Sequence, residues 1–293
     1  MTVITNPTLI APPNVDRPDP AGRPSTDATV APPSERSALR SIAILARRNA
    51  LKTRRVPTLL VFSLAMPLMM LVLFSQVFRT IENSPGFPLG VDYVDFLVPA
   101  ALAAAVVMNA SNSGVGIAID LQAGVVDRIR SLPVRGWTLL AARSITDTAI
   151  SVLQIVVVTG VAMVTLGFRF HGSTLDALGM LGVLVPFSWA FTWLFLYVGA
   201  RLRDPETAQL SGMMIMMPLM FVSAAFAPVE TFPGWLQAVA HLNPMSLTVE
   251  AARGFALGAP QAGDIVQSLV SSAVVGAIGI AAAARAYRRS TSR

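Results

Sequence analysis

Residues 120–143 read DLQAGVVDRIRSLPVRGWTLLAAR, running from Asp120 to Arg143. Asp120, Asp127, Arg128, Arg130, Arg135 and Arg143 make this stretch a polar, basic interruption between two long apolar runs. It cannot cross a bilayer, so it must lie in water or against a polar partner. The fold follows from what flanks it.

Outward from this stretch, the chain holds six uncharged windows of 20 to 24 residues: 56–78, 96–119, 148–168, 178–200, 207–229 and 265–284. A membrane helix needs about 20 residues at 1.5 Å rise each. All six qualify, the last diluted by Ala, Gly and Ser. The composition agrees, being 54% hydrophobic and 13% charged with a mean hydropathy of +0.62, whereas a soluble domain carries about 25% charged residues. The expected fold class is an all-α integral membrane protein with six transmembrane helices.

Orientation comes from Lys and Arg, which are retained on the cytoplasmic side near membrane ends. With the N-terminus inside, seven basic residues fall between Arg36 and Arg55, four between Arg128 and Arg143, two at Arg201 and Arg203, and four between Arg285 and Arg293. The opposite side receives only Arg79, Arg169 and Arg253. Both termini and the 120–143 stretch are therefore expected in the cytoplasm. Within that stretch Leu121, Val125 and Ile129 recur at a spacing of four, which predicts a short helix over 121–129. Leu132-Pro133 would end the segment, and Trp137 suits an anchor at the membrane interface. A plain positive-inside loop is the simpler reading of the same residues.

Residues 1–33 hold eight prolines and almost no apolar periodicity, so a disordered tail is expected. No apolar core follows a basic start, as a signal peptide would require. Ser34 and Glu35 then look like a helix start. Over 34–55 apolar residues gather on one side, while Arg47, Arg48, Lys52, Arg54 and Arg55 fall mostly on the other. A basic helix along the membrane surface explains the pattern, and so does a positive cluster that only fixes orientation.

The loop before the last window, 230–263, is long and still apolar. Thr231 is predicted to cap a helix over 232–241 with Pro233 in its first turn; Asn243-Pro244 would start a second helix, ended by Gly258. Trp235, Leu236, Val239, Leu247 and Phe255 sit poorly in open water. A hairpin packed into the outer membrane boundary is expected, with an ordinary extracellular loop helix as the alternative.

Several chemistries are disfavoured. The net charge of +6 is spread between apolar segments rather than gathered on one soluble face, so nucleic acid is not an expected partner. There is no cysteine for a disulfide, thiolate or nucleophile, and His171 and His241 stand on separate loops. No catalytic or metal site is expected. The windows hold few ionisable groups, which weighs against an ion-coupled secondary transporter. Asn109, Ser111 and Asn112 are the most polar residues deep in a window. In the fifth, Met213, Met214, Met216 and Met217 with Phe221 offer a soft surface for varied apolar ligands or simply for packing.

The order of features resembles an ABC-2-type exporter permease, and in detail the daunorubicin/doxorubicin-resistance group of actinobacterial drug and lipid exporters. The pieces that carry the resemblance are RRVPTLL at 54–60, GVVDRIRSLPVR at 124–135, GFRF at 167–170, and FPGW at 232–235 running through HLNP at 241–244 to ARGF at 252–255. The similarity extends from about residue 38 to the C-terminus.

The resemblance implies a division into a tail (1–33), a connecting helix (34–55), a transmembrane domain (56–287) and a cytoplasmic C-terminus (288–293). It makes 120–143 the coupling loop that docks on a separate ATP-binding subunit, with Gly124, Asp127, Arg128, Arg130, Pro133 and Arg135 matching the motif. It makes the hairpin over 230–263 a re-entrant element, with Pro233, Trp235, Asn243, Pro244 and Arg253 as its marked residues. It sets the second and fifth spans at the interface between two permease halves, where Asn109, Asn112, Met213, Met217 and Phe221 would line the translocation path. The chain lacks a G-x-x-x-x-G-K-[ST] phosphate loop. ATP and Mg are therefore expected on the partner, present in two copies, and no cofactor on this chain. A second permease, as homodimer or related heterodimer, membrane lipid and a small lipophilic substrate complete the expected partners. The expected location is a bacterial, by resemblance actinobacterial, cell membrane. The alternatives are an ion-coupled transporter and a non-transporting membrane anchor for a cytoplasmic protein.

Overall fold

A computed structural model describes residues 57–77, 90–124, 137–225 and 228–291, with side chains described between 64 and 286. The predicted tail (1–33) and the predicted connecting helix (34–55) lie outside the described residues. Every element among the described residues is a helix: α1 (Pro57–Val77), α2 (Tyr93–Gln122), α3 (Trp137–Thr165), α4 (Thr174–Leu202), α5 (Pro205–Phe221), a 3-10 turn (Val229–Thr231), α6 (Gly234–Leu242), α7 (Pro244–Ala256) and α8 (Ala262–Thr291).

Four of them, α2, α3, α4 and α8, are long and apolar enough to cross a membrane, and α1, of 21 residues, is apolar over its described side chains from Leu64 to Val77. α2, α4 and α8 overrun their uncharged windows at both ends, and α3 does so at its start. α3 begins at Trp137, well before the window edge at Thr148, because Arg143 and Asp147 are paired rather than left bare. The fifth window falls short instead. Its helix ends at Phe221 after 17 residues, about 25 Å at 1.5 Å rise, and the chain turns through Val222 before reaching Val229.

Helix ends follow from local chemistry. Ser173 and Asp176 form a reciprocal capping box at the start of α4, satisfying backbone donors in both directions. Asp204 caps α5 through the Thr207 amide, with Pro205 in the first position, where a missing N–H costs nothing. Two predicted boundaries change. Gly124 adopts φ +66° just after α2, so Leu121 belongs to the end of that long helix and no single helix runs from 121 to 129; residues 125–136 lie outside the described part. Thr231 does not cap the next helix either, because its hydroxyl donates back to the Pro228 carbonyl within the 3-10 turn, leaving Pro233 at the cap position of α6.

α4 is the central element, packed by α2, α3, α5, α7 and α8. Its approach to α2 is backbone to backbone: a Cβ on Gly199 would collide with the Gly114 carbonyl, and one on Gly114 would meet the Phe195 carbonyl oxygen at 2.6 Å. Small residues at a crossing let two membrane helices pack this closely. Phe187, Phe191 and Phe195 continue the core along α4.

Candidate functional site

Three groups of side chains stand out, one at each end of the helices and one on an outward face. At the first end lies the base of the charged loop. Of its motif residues, Gly124 is described; Asp127, Arg128, Arg130, Pro133 and Arg135 lie outside the described residues, as do Arg47, Arg48, Lys52, Arg54 and Arg55. The two helix ends that carry the loop are bound together. Arg143 on α3 pairs with Asp120 on α2 at 2.6 Å, and its Nε lies 3.5 Å from Asp147 one turn along α3. The guanidinium lies against α2 at Gly116, where any Cβ would overlap it. Gln122 reaches Asp204 in the turn between α4 and α5, Nε2 donating to Oδ1 at 3.4 Å. Asp204 also accepts from the hydroxyl and the amide of Thr207, and these bonds hold its carboxyl below the ordinary value.

The polar residues of the second window separate. Asn109 turns inward: its Nδ2 donates to the Asp147 carbonyl at 3.0 Å and to Ser151 Oγ at 2.8 Å. Ser188 of α4 joins the same cluster, its hydroxyl donating to Ser151 Oγ at 2.8 Å. Asn112, one helical step further round, is exposed. It shares that exposure with Met213, Met214, Met217 and Phe221 on α5, which are 49%, 77%, 54% and 58% accessible. α5 packs on α2, and a Cβ on its Gly212 would strike Ser111. Asn112 and the methionine stripe thus belong to two adjoining helices, while Asn109 holds helices together.

At the other end, the predicted hairpin residues divide in the same way. Asn243 serves two helices at once. Its Nδ2 donates to the Leu219 and Val222 carbonyls at the end of α5, and its Oδ1 accepts from the Met245 amide at 2.9 Å to cap α7, with Pro244 in the first position. Arg253 is buried. It donates through Nε to the Phe96 carbonyl at 3.2 Å and through Nη2 to the Ala224 carbonyl at 2.8 Å, and Ser246 Oγ accepts from the Ala224 amide. Trp235 and Val239 on α6 stay exposed, whereas Leu247 and Phe255 are half-buried. Gly258, at φ +74°, closes the segment after α7.

Sequence reasoning missed Asp95, which is buried, accepts from the Arg169 amide at 2.9 Å and lies 3.7 Å from His171 Nδ1. Its only signal was a carboxylate one residue ahead of an apolar window. Among the described residues, no group of three His, Cys, Asp or Glu could hold a metal ion.

A bundle whose described elements are all helical, with several bilayer-length apolar helices and apolar side chains on its outside, defines a polytopic membrane protein. The chain belongs to the ABC-2 type transporter family, which it matches over residues 40–257. It is 30% identical over 242 residues to the daunorubicin resistance ABC transporter permease protein DrrB1 of Streptomyces coeruleorubidus, covering 82% of this chain and 83% of that one. A putative transport permease, ycf38 of Pyropia yezoensis, is 27% identical over 74% of each chain. The probable doxorubicin resistance ABC transporter permease protein DrrC of Mycobacterium tuberculosis is 28% identical over 60% of this chain and 64% of its own.

Proposed function

We propose that this chain is the membrane-spanning permease subunit of an ATP-binding-cassette exporter. It moves an amphipathic or lipophilic compound, such as a drug, a polyketide or a lipid, out of a bacterial cell. The observation that carries this reading is the family match over 40–257, together with relatives named as drug-resistance permeases at comparable length. ATP, with Mg, is hydrolysed on two copies of a separate nucleotide-binding subunit. The permease works as a homodimer or with a related partner.

In this reading the chain crosses the membrane six times with both termini in the cytoplasm, α1 and α5 joining the four longer helices. Residues 120–143 are the ATPase-coupling loop, residues 34–55 the connecting helix, and α6–α7 the re-entrant hairpin at the outer boundary. Asn112, Met213, Met217 and Phe221 form the path-lining face. Asn109 supports it from behind rather than touching substrate, since its amide is committed to Asp147 and Ser151.

The test uses inside-out vesicles carrying the chain with its ATPase, and doxorubicin as the probe. ATP-dependent uptake that vanishes without the ATPase supports the exporter; uptake driven by an ion gradient alone overturns it, as does association with a cytoplasmic protein without any transport. Reversing charge at Arg128 and Arg130 to Glu tests the loop. Loss of co-purification with the ATPase supports docking there, and unchanged assembly and export defeat it.

A further inference from the structure

We propose that Arg143 is a positioning residue that makes the ends of α2 and α3 answer as one body to the loop between them, and that a buried polar ladder carries this movement to α4 near mid-membrane. The inference rests on the permease reading above.

The loop leaves α2 after Gly124 and returns at Trp137, and Arg143 ties the two helix ends directly to one another. It is held by Asp120 of the other helix at 2.6 Å and approached by Asp147 of its own at 3.5 Å. Gly116 leaves the space the guanidinium fills, since a Cβ there would overlap it. A planar guanidinium between two carboxylates and against a bare backbone is fixed in direction as well as charge, which a lysine ammonium would not be.

From this clamp further polar contacts run inward, the step from Arg143 Nε to Asp147 Oδ2 being an ion pair at 3.5 Å rather than a hydrogen bond. Ser113 of α2 donates to the Asn109 carbonyl at 3.3 Å. Asn109 donates to the Asp147 carbonyl and to Ser151, and Ser188 of α4 donates to Ser151. Thr192 closes the run on α4, donating to the Ser188 carbonyl at 2.8 Å. Asp120 and Asn109 are eleven residues apart on one helix, about 16 Å at 1.5 Å per residue and roughly half the thickness of a bilayer's hydrocarbon core. Polar groups buried at that depth have no water to exchange with, so each bond between helices holds the two in register. A push on the loop thus reaches α4 through α2 and α3 together. α5, whose exposed stripe stands outside the ladder, meets this block where its Gly212 lies against Ser111.

The experiment uses the full complex with its ATPase and a single reporter, Asn112→Cys, labelled with an environment-sensitive maleimide dye. The wild-type background is expected to show a fluorescence change on ATP addition. Arg143→Gln is expected to keep ATP hydrolysis within about twofold while losing most of that change, and Arg143→Lys to recover part of it. An unchanged reporter response in Arg143→Gln overturns the clamp. If Arg143→Gln does not assemble, Asp120→Asn is measured in the same way; failure of both to assemble makes these residues folding determinants and also overturns the clamp. A wild-type chain that neither binds an ATPase nor responds to ATP sinks the exporter reading instead, which keeps the two failures distinct.

Discussion

The guanidinium carbon of Arg253 lies 3.4 Å from the centre of the Phe96 ring while Nε of the same side chain donates to the Phe96 backbone carbonyl at 3.2 Å. One residue of α2 thus meets both the face and the edge of the same cation. Together with the Ala224 carbonyl, it binds α7 to the start of α2 and to the turn after α5. Replacing Arg253 with Ala removes donors from two buried carbonyls and leaves a void, at a cost of about 2–4 kcal/mol. Arg253→Lys restores only part, because an ammonium cannot fork and stack at once. Thermal unfolding in detergent checks the order wild type, Lys, Ala; an Ala variant as stable as wild type refutes it.

Asn243 separates two roles within one side chain. Asn243→Asp keeps the acceptor for the Met245 amide but loses both donors to the end of α5, whereas Asn243→Ala loses all three bonds. The expected destabilisation is about 1 kcal/mol or more for Ala on the capping bond alone. Asp should be at least as damaging, because a carboxylate would face two carbonyls. If Asp matches wild type in unfolding temperature, the bonds to Leu219 and Val222 are not stabilising.

The neighbouring asparagines of α2 should behave oppositely. Asn109→Ala breaks bonds to α3 and is expected to cost about 0.6–1.7 kcal/mol, from the mean to the maximum found for hydrogen bonds between membrane helices. Asn112→Ala breaks none that the structure shows and should stay within about 0.5 kcal/mol. Paired unfolding measurements decide this, and equal losses at the two positions contradict the assignment.

Gly199→Ala tests the α2–α4 crossing. The added methyl meets the Gly114 carbonyl and the Ile117 side chain, so the helices must part. Overpacking of this kind costs about 1–3 kcal/mol. The control is Gly182→Ala, where a Cβ meets nothing within 4 Å; similar losses at both sites would show that helix separation is not the cause.

Asp204 gives a pH dependence with a definite sign. Its carboxyl is held below the ordinary aspartate range, first by the Thr207 hydroxyl and then by the Thr207 amide. The folded state therefore gains stability that is fully present above the unfolded value and is lost as pH falls through the lowered one. Asp204→Asn should cap α5 without that acid-side loss. Unfolding temperature followed from pH 5 downward checks this, and an identical slope in the variant argues against it.

Much of this was legible in the sequence. The windows at 96–119, 178–200 and 265–284 each lie within one continuous helix, and the window at 148–168 does so as far as Thr165, because uncharged length alone dictates a hydrogen-bonded helix in hydrocarbon. Asn243-Pro244 and Gly258 announced the ends of α7 through capping chemistry that needs no tertiary knowledge. The break after Phe221 was not legible, since it depends on Asn243 and Arg253 supplying partners from residues distant in sequence. Arg143 was visible only as a loop charge, because its partner Asp120 is 23 residues away and pairing across helices leaves no local pattern. The inward turn of Asn109 against the outward one of Asn112 is a matter of helix rotation, which a window without charges does not report.

The methionine face of α5 also gives the chain a chemical ruler. With no cysteine in the sequence, thioethers are the softest oxidisable groups, and sulfoxide formation follows access. Met213, Met214 and Met217 stand open on one side of the helix while Met220, at its far end on the same side, is covered at 7% accessible. Peptide mass spectrometry after brief peroxide treatment would then read the covering of that face directly, with Met220 as an internal reference on the same helix. A second permease half seated there would bring the three open methionines down to the rate of the buried one.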